Sequence, residues 1–316
     1  MSARPIIVDT DPGQDDAVAV LLALASPELD VLGITTVAGN VPLDLTTRNA
    51  RATAELAGRP DVVVFAGCDR PMVRELRTAE YVHGETGLDG AELPEPTMPL
   101  QDRHAVDFLA ETLAAAEPGS VTLCPLGPLT NLGTLLDRHP EAVQGIREIV
   151  LMGGGFFEGG NTTPAAEFNI YVDPEAADLV FRSGLPLTMI PLDATHQALI
   201  LDGHLERLRQ LGPVGEAVAG WLEFYERWDV EKYGMEGGPL HDPCVIAYLL
   251  DPGLFDAKDC NVQIEVTSPL TRGMTVVDWW GVTNEPANCT VVRNVDSPGF
   301  FDLLIERIGR LPVAPV

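Results

Sequence analysis

Four aspartates stand within eight residues near the start of the chain, in Asp9-Thr10-Asp11-Pro12-Gly13-Gln14-Asp15-Asp16, directly after the apolar run Ile6–Val8. Folding gathers them at a strand end, and like charges held so close are costly unless a cation or a set of donors neutralises them. Pro12-Gly13 makes a tight turn that folds the two halves of the cluster toward one point. Asp15 and Asp16 then occupy the first turn of a helix, where negative charge is favoured. Oxygen-only ligation by several carboxylates selects a hard cation, calcium or magnesium. The plain alternative, an acidic helix start with solvated loop charges, suits a single Asp-Pro-Gly turn better than four carboxylates beyond one strand.

The elements that must hold this cluster alternate in type. Short β-branched runs at Ile6–Asp9, Val31–Val37, Val62–Phe65, Val121–Cys124, Glu148–Met152 and Leu187–Ile190 read as strands. Amphipathic stretches near Asp15–Ala25, Leu43–Ala57, His104–Ala116, Leu129–Asp137 and Pro174–Ser183 read as the helices between them. Buried strands alternating with helices predict an α/β fold, an open and mostly parallel (mixed) sheet flanked by helices on both faces. Ligands of such sheets sit beyond the carboxyl ends of the strands. From about 201 to 251 the pattern turns helical (His204–Gln210, Val214–Glu231 and Asp242–Leu250, with a Gly-rich loop at Gly234–Pro239). Strand-like Val262–Val266, Met274–Asp278 and Thr290–Arg293 follow, then a closing helix near Phe300–Gly309. One domain over residues 1–316, with an inserted helical region near the active site, is the expected organisation.

The octapeptide resembles the N-terminal signature of the inosine–uridine preferring nucleoside hydrolase family, and further collinear matches support it. Val37-Ala38-Gly39-Asn40 resembles the family's active-site Asn segment, and Pro125-Leu126-Gly127-Pro128-Leu129-Thr130-Asn131 the turn that offers a backbone carbonyl to the metal. Met152-Gly153-Gly154-Gly155, Glu167-Phe168-Asn169-Ile170, Asp173-Pro174-Glu175-Ala176 and His241-Asp242-Pro243 match its later motifs. Asp9-Thr10-Asp11 is also similar to the opening of a haloacid-dehalogenase phosphatase, but Gly13 stands where that pattern wants Thr or Val. Gly153–Gly160 does not spell a dinucleotide fingerprint, and no P-loop occurs.

The resemblance implies a nucleoside hydrolase fold with a Rossmann-like core and hydrolysis of the N-glycosidic bond of ribonucleosides. It implies Ca2+ held by Asp11, Asp16, Asp242 and the Leu126 carbonyl, with Asp11 also the general base. It places Asp15, Asn40 and Asn169 on ribose hydroxyls, Asn161 and Glu167 on the 5′ and 3′ sides of the sugar, and Met152 against the ribose. His241 becomes the acid for the leaving base and His83, in Tyr81-Val82-His83-Gly84, a second residue of the base site. Histidine suits proton transfer near neutral pH; His104, His139, His196 and His204 are read as structural or surface residues. The aromatics Trp221, Phe224, Tyr225, Trp228 and Tyr233 either stack on the base or pack their helix into the core. Two other readings use the same residues: a hydrolase of a modified N-riboside, and a calcium- and nucleoside-binding protein without turnover.

Composition narrows the partners. The 316 residues carry 47 acidic and 20 basic side chains, a formal charge of −27. That field disfavours nucleic acid and anionic membranes and suits a cation or a small neutral ligand such as a nucleoside. Five scattered cysteines, Cys68, Cys124, Cys244, Cys260 and Cys289, never form a C-x-x-C pair, which argues against a disulfide framework or zinc site. No apolar run approaches membrane-spanning length and no basic-then-apolar leader opens the chain. A cytoplasmic enzyme is expected, and by resemblance a homodimer or homotetramer.

Overall fold

Ile6, Ile7 and Val8 of the first strand, β1 (Arg4–Thr10), are all fully buried. Successive side chains of a strand point to opposite faces, so such a run needs helices on both sides of its sheet. The computed structural model, which describes residues 3–312, supplies them. Its strands are β1, β2 (Leu29–Thr36), β3 (Val64–Ala66), β4 (Leu100–Gln101), β5 (Val121–Pro125), β6 (Ile146–Met152), β7 (Leu187–Ile190), β8 (Phe255–Cys260), β9 (Val262–Ile264), β10 (Thr275–Val277) and β11 (Cys289–Val295). The α-helices are α1 (Gln14–Leu24), α2 (Leu43–Leu56), α3 (Glu80–His83), α4 (Ala105–Ala115), α5 (Thr130–Arg138), α6 (Phe168–Val172), α7 (Pro174–Phe181), α8 (Leu192–Thr195), α9 (Asp202–Arg209), α10 (Pro213–Tyr233), α11 (Pro243–Leu250) and α12 (Ser297–Ile308).

Nine strands form one sheet in the order β4-β3-β2-β1-β5-β6-β7-β11-β8, while β9 and β10 pair separately as an antiparallel ribbon. Neighbours in the large sheet run parallel except for β8, which lies antiparallel on β11. The mostly parallel, mixed α/β sheet read from the sequence is therefore present. Ile6 and Val8 join the core formed with α1, α2, α10, α11 and α12, whereas Ile7 joins the opposite core with α4, α5 and α7. Helix α1 is buried on all sides from Gln14 to Ala23, because α2, α10, α11 and α12 all pack around it. Its run Ala17–Leu24 is accordingly apolar all round rather than striped.

From β1 the chain first builds outward through β2, β3 and β4, then crosses back to lay β5 on the other side of β1. The carboxyl ends of β1 and β5 are thus the switch point where a crevice opens in a sheet of this kind. Strand β8 is an addition to the elements read from the sequence, which assigned none between Leu250 and Val262. It alternates nothing, since only its two end residues are buried, and edge pairing with β11 makes it a strand.

Candidate active site

The acidic octapeptide closes over itself at the end of β1. Thr10 Oγ1 donates to Asp16 Oδ1 at 2.5 Å, and the amides of Asp11 and Gly13 donate to the two oxygens of Asp16 at 3.3 and 3.0 Å. Asn40, from the loop after β2, ties two of the aspartates together. Its backbone amide donates to Asp11 Oδ2 at 2.7 Å and its side-chain amide to Asp16 Oδ2 at 3.0 Å. The Asp11 carboxylate is wedged between the backbones of Gly39 and Gly127, where a Cβ at either position would collide with its oxygens. Glycine at those two places is what lets the loops after β2 and β5 approach it. Asp9, one step below, receives Thr35 Oγ1 at 2.5 Å and Asn131 Nδ2 at 2.7 Å.

Asp11, Asp15, Asp16 and Asp242 are all buried, and no cationic side chain pairs with them among the described residues. Burial first, and the neighbouring carboxylates next, push Asp11 and Asp242 well above the ordinary carboxylate range and Asp15 up to about 8. Asp16 is also raised by burial, against the hydrogen bonds it accepts. Oxygens of Asp15, Asp16 and Asp242 lie within 4.8 Å of one another, the spacing of ligands about one ion. Asp11 Oδ1 is buried without a hydrogen-bond partner. Donors that are all oxygen, three of them convergent carboxylates, fit a hard divalent cation. The sequence reading gave Asp15 to ribose; the structure brings it into the carboxylate triad, with Asp11 beside rather than within that triad. The Leu126 carbonyl accepts from Asn169 Nδ2 at 2.6 Å.

Above the cluster a cavity opens to solvent. Its lining includes Asp15, Asn40, Leu126, Met152, Asn161, Glu167, Asn169, His83, His241 and Asp242, so ten of the residues singled out from sequence meet there. Asp11 and Asp16 lie beneath them. One wall comes from the end of β6 and from α6. Glu167 caps α6 by accepting from the amides of Asn169 and Ile170 at 2.8 and 3.2 Å, and also takes the Gly154 amide at 2.9 Å. Burial nevertheless pushes its carboxyl up to about 7. Asn169 Nδ2 is spent on the Leu126 and Met152 carbonyls, and Asn40 Nδ2 on Asp16 and the Asp11 carbonyl, which leaves each amide oxygen to accept from a ligand. Asn161 Oδ1 receives the Phe168 amide at 3.0 Å.

The other wall is aromatic. His83 ends α3, His241 directly precedes Asp242, and Tyr225 on α10 touches both rings, at 5.6 and 6.5 Å between centroids. Burial pushes His83 down to about 3 and His241 well below the usual imidazole range. Tyr225 and Trp228 line the cavity, Trp228 packing on Tyr81 at 5.0 Å. Trp221 lies instead in the core, and Phe224 lines a separate surface groove. The Tyr233 side chain lies outside the described residues. Sequence reasoning missed Tyr81, Ala79, Thr162 and Phe168 as lining residues. It also left His196 as a structural residue, though its ring stands 5.8 Å from that of His241.

Known proteins resemble this chain in sequence and in fold. The family model described as "Inosine-uridine preferring nucleoside hydrolase" matches residues 6–302. A pyrimidine-specific ribonucleoside hydrolase RihA of Shewanella sp. (strain ANA-3) is 52% identical over 309 residues, covering 97% of this chain and 96% of that protein. The RihA of Photobacterium profundum is 52% identical over 310 residues, covering 97% and 99%. Among solved structures, a purine-preferring ribonucleoside hydrolase from Gardnerella vaginalis superposes with a TM-score of 0.92 at 34% identity, covering 99% of this chain and 100% of that one. With its acidic floor, amide-lined wall and aromatic wall in one cavity, the chain belongs to the inosine–uridine preferring nucleoside hydrolase family.

Proposed function

We propose that the protein hydrolyses the N-glycosidic bond of ribonucleosides, releasing ribose and a free base, with Ca2+ held at the acidic floor. The observation that carries this reading is the polarity of one cavity, which has buried carboxylates at its floor and two buried histidines among aromatics at its mouth. The reaction needs those two ends. Its transition state is oxocarbenium-like, with positive charge growing on the sugar and negative charge on the departing base. Asp15, Asp16, Asp242 and the Leu126 carbonyl, with Asp11 alongside, would hold the ion. When bound, the ion supplies positive charge that acidifies water and orients the ribose diol.

The protein's own groups do the rest. Asp11 accepts the proton of the attacking water, its Oδ1 having no competing hydrogen bond. Asp15, Asn40 and Asn169 accept from ribose hydroxyls, Glu167 and Asn161 hold the two ends of the sugar, and Met152 packs beneath it. The buried carboxylates also favour the developing cation over the neutral ground state. His241 donates through its ring N–H to the departing base, and Tyr225 and Trp228 stack around that base with His83. The 52% identity to relatives named pyrimidine-specific supports uridine and cytidine as first substrates. A homo-oligomer is supported by exposed Trp280 and Val282, which are 75% and 76% accessible in the single chain.

The deciding experiment is base release from uridine, cytidine, inosine and adenosine, with calcium, with magnesium and after exhaustive chelation. Release that chelation abolishes and calcium restores is the expected result. Equal release with and without the ion would overturn the metal-dependent mechanism. No release from any of the four, with calcium bound, would overturn hydrolysis of the common ribonucleosides.

A further inference from the structure

The two histidines at the mouth of the cavity are held by different partners, and each partner permits one arrangement of protons. Gln14, in the first turn of α1, points its side chain at the segment after α3. Its Nε2 donates to the carbonyls of His83 at 2.9 Å and of Asp89 at 3.0 Å, which fixes the orientation of the amide. Its Oε1, 2.7 Å from His83 Nδ1, has only lone pairs to offer. His83 Nδ1 therefore carries the ring proton, and the neutral ring presents a bare Nε2.

On the opposite side, the Thr195 hydroxyl at the end of α8 is fully buried and lies 2.6 Å from His241 Nδ1. That nitrogen is its one hydrogen-bond partner among the described residues. The backbone of Thr195 is already engaged, its amide with Pro191 and its carbonyl with Ala198. If the hydroxyl accepted from Nδ1, its own proton would be stranded in a dry interior, an arrangement that buried polar groups avoid. The hydroxyl therefore donates, Nδ1 accepts, and the proton of the neutral His241 ring stands on Nε2.

We infer that Gln14 and Thr195 fix opposite tautomers on His83 and His241, so that the mouth of the cavity offers an acceptor at His83 Nε2 and a donor at His241 Nε2. Gln14 and Thr195 are thus positioning residues for the base. The ligand this pair takes is a nucleobase with an N–H facing His83 and a carbonyl or ring-nitrogen lone pair facing His241, as uracil offers through N3–H and O2. The Nε2–H of the neutral His241 ring gives the departing base a hydrogen-bond donor for the negative charge that grows on it. The identity of the ligand rests on the hydrolase reading; the two tautomers do not.

The test pairs a spectrum with kinetics on the cation-loaded protein. Histidine labelled with 15N, assigned with His83→Asn and His241→Asn, distinguishes a protonated from a bare ring nitrogen by chemical shift. His83 should show a protonated Nδ1 and His241 a bare Nδ1; the same tautomer on both would overturn the inference. Thr195→Val should lower kcat for uridine by about 10–100-fold, the usual weight of a partner that orients a functional histidine. Its KM and its turnover of p-nitrophenyl riboside, whose leaving group needs no acid, should stay near wild type, and Thr195→Ser should restore uridine turnover. Equal loss on both substrates would overturn the positioning role. 3-Methyluridine, which lacks the N–H, should fall at least ~10-fold below uridine in kcat/KM, and parity would remove the acceptor at His83. A wild-type protein that releases no base would sink the hydrolase reading alone, with the spectrum still deciding the tautomers.

Discussion

Removing the cation should destabilise the fold by an amount that grows with pH, because the carboxylates at the end of β1 are then held together with no counter-charge. Asp15 shows the size of the effect. Burial, then Asp16, raises its carboxyl from 3.8 to about 8 in the ion-free fold. A raised acid binds its proton more tightly folded than unfolded. Its contribution is therefore intact below about pH 4 and is lost as pH rises through the window up to about 8. With 1.36 kcal/mol per unit, the loss at about pH 7.5 is 1.36 × (7.5 − 3.8), or about 5 kcal/mol, against about 2 kcal/mol near pH 5.5. A cation that binds the ionised carboxylates of the folded state offsets that loss. At about 2 °C per kcal/mol for a chain of this length, calcium should raise Tm by about 10 °C near pH 7.5 and about 4 °C near pH 5.5. The assay is calorimetric melting at both pH values, with excess calcium and with chelator. An equal rise at the two pH values, or a larger one at the acid end, would refute the reasoning. The chelated Asp15→Asn protein should melt above chelated wild type near pH 7.5, because the amide has no proton to hold against the unfolded state, while gaining less from calcium.

Three further outcomes follow from the same geometry. Gly127→Ala places a methyl against the Asp11 carboxylate and should cut base release by at least ~100-fold, with a native circular dichroism spectrum and weakened calcium binding by calorimetric titration. 2′-Deoxyuridine should be rejected by about 10^4-fold in kcat/KM, since on the proposed reading the floor and amide oxygens facing the ribose hydroxyls would be left unpaired; a ratio near unity would remove those groups from the sugar site. His241→Ala should lose about 100-fold or more on uridine yet keep most of its activity on p-nitrophenyl riboside, and equal losses would reject its acid role.

How far the sequence was legible depended on whether the signal was local. Strand β1 and the motif after it could be read because the apolar run, the Pro12-Gly13 turn and the aspartates are adjacent in the chain. Strand β8 could not, since Asp256–Asp259 are exposed and become strand only through pairing with β11. Helices α3, α6 and α8 have four or five residues each, too few to show a 3.6-residue period. Position within the site was harder again. Gln14 reaches His83 across 69 residues and Thr195 reaches His241 across 46, and neither pairing leaves a trace in local spacing. The aromatics of α10 fan round one side of the helix: Trp221 lies in the core, Tyr225 and Trp228 line the cavity, and Phe224, about 40° beyond Trp228, lines the neighbouring surface groove.

The two walls of the cavity also differ in how they are anchored. Apart from Asp242, which stands at the start of α11, the floor and the amide-lined wall hang from β1, β2, β5 and β6, four neighbouring strands at the centre of the sheet. The aromatic wall rests on α3 and α10, which touch each other outside the sheet. Side chains of the second wall can therefore change without re-pairing the strands that carry the first. Such a scaffold can be retargeted from one leaving group to another by altering a four-residue helix and one face of a long one, while the bond-breaking apparatus is inherited whole. Proteins named for purines and for pyrimidines would then be variations at the rim of a common engine.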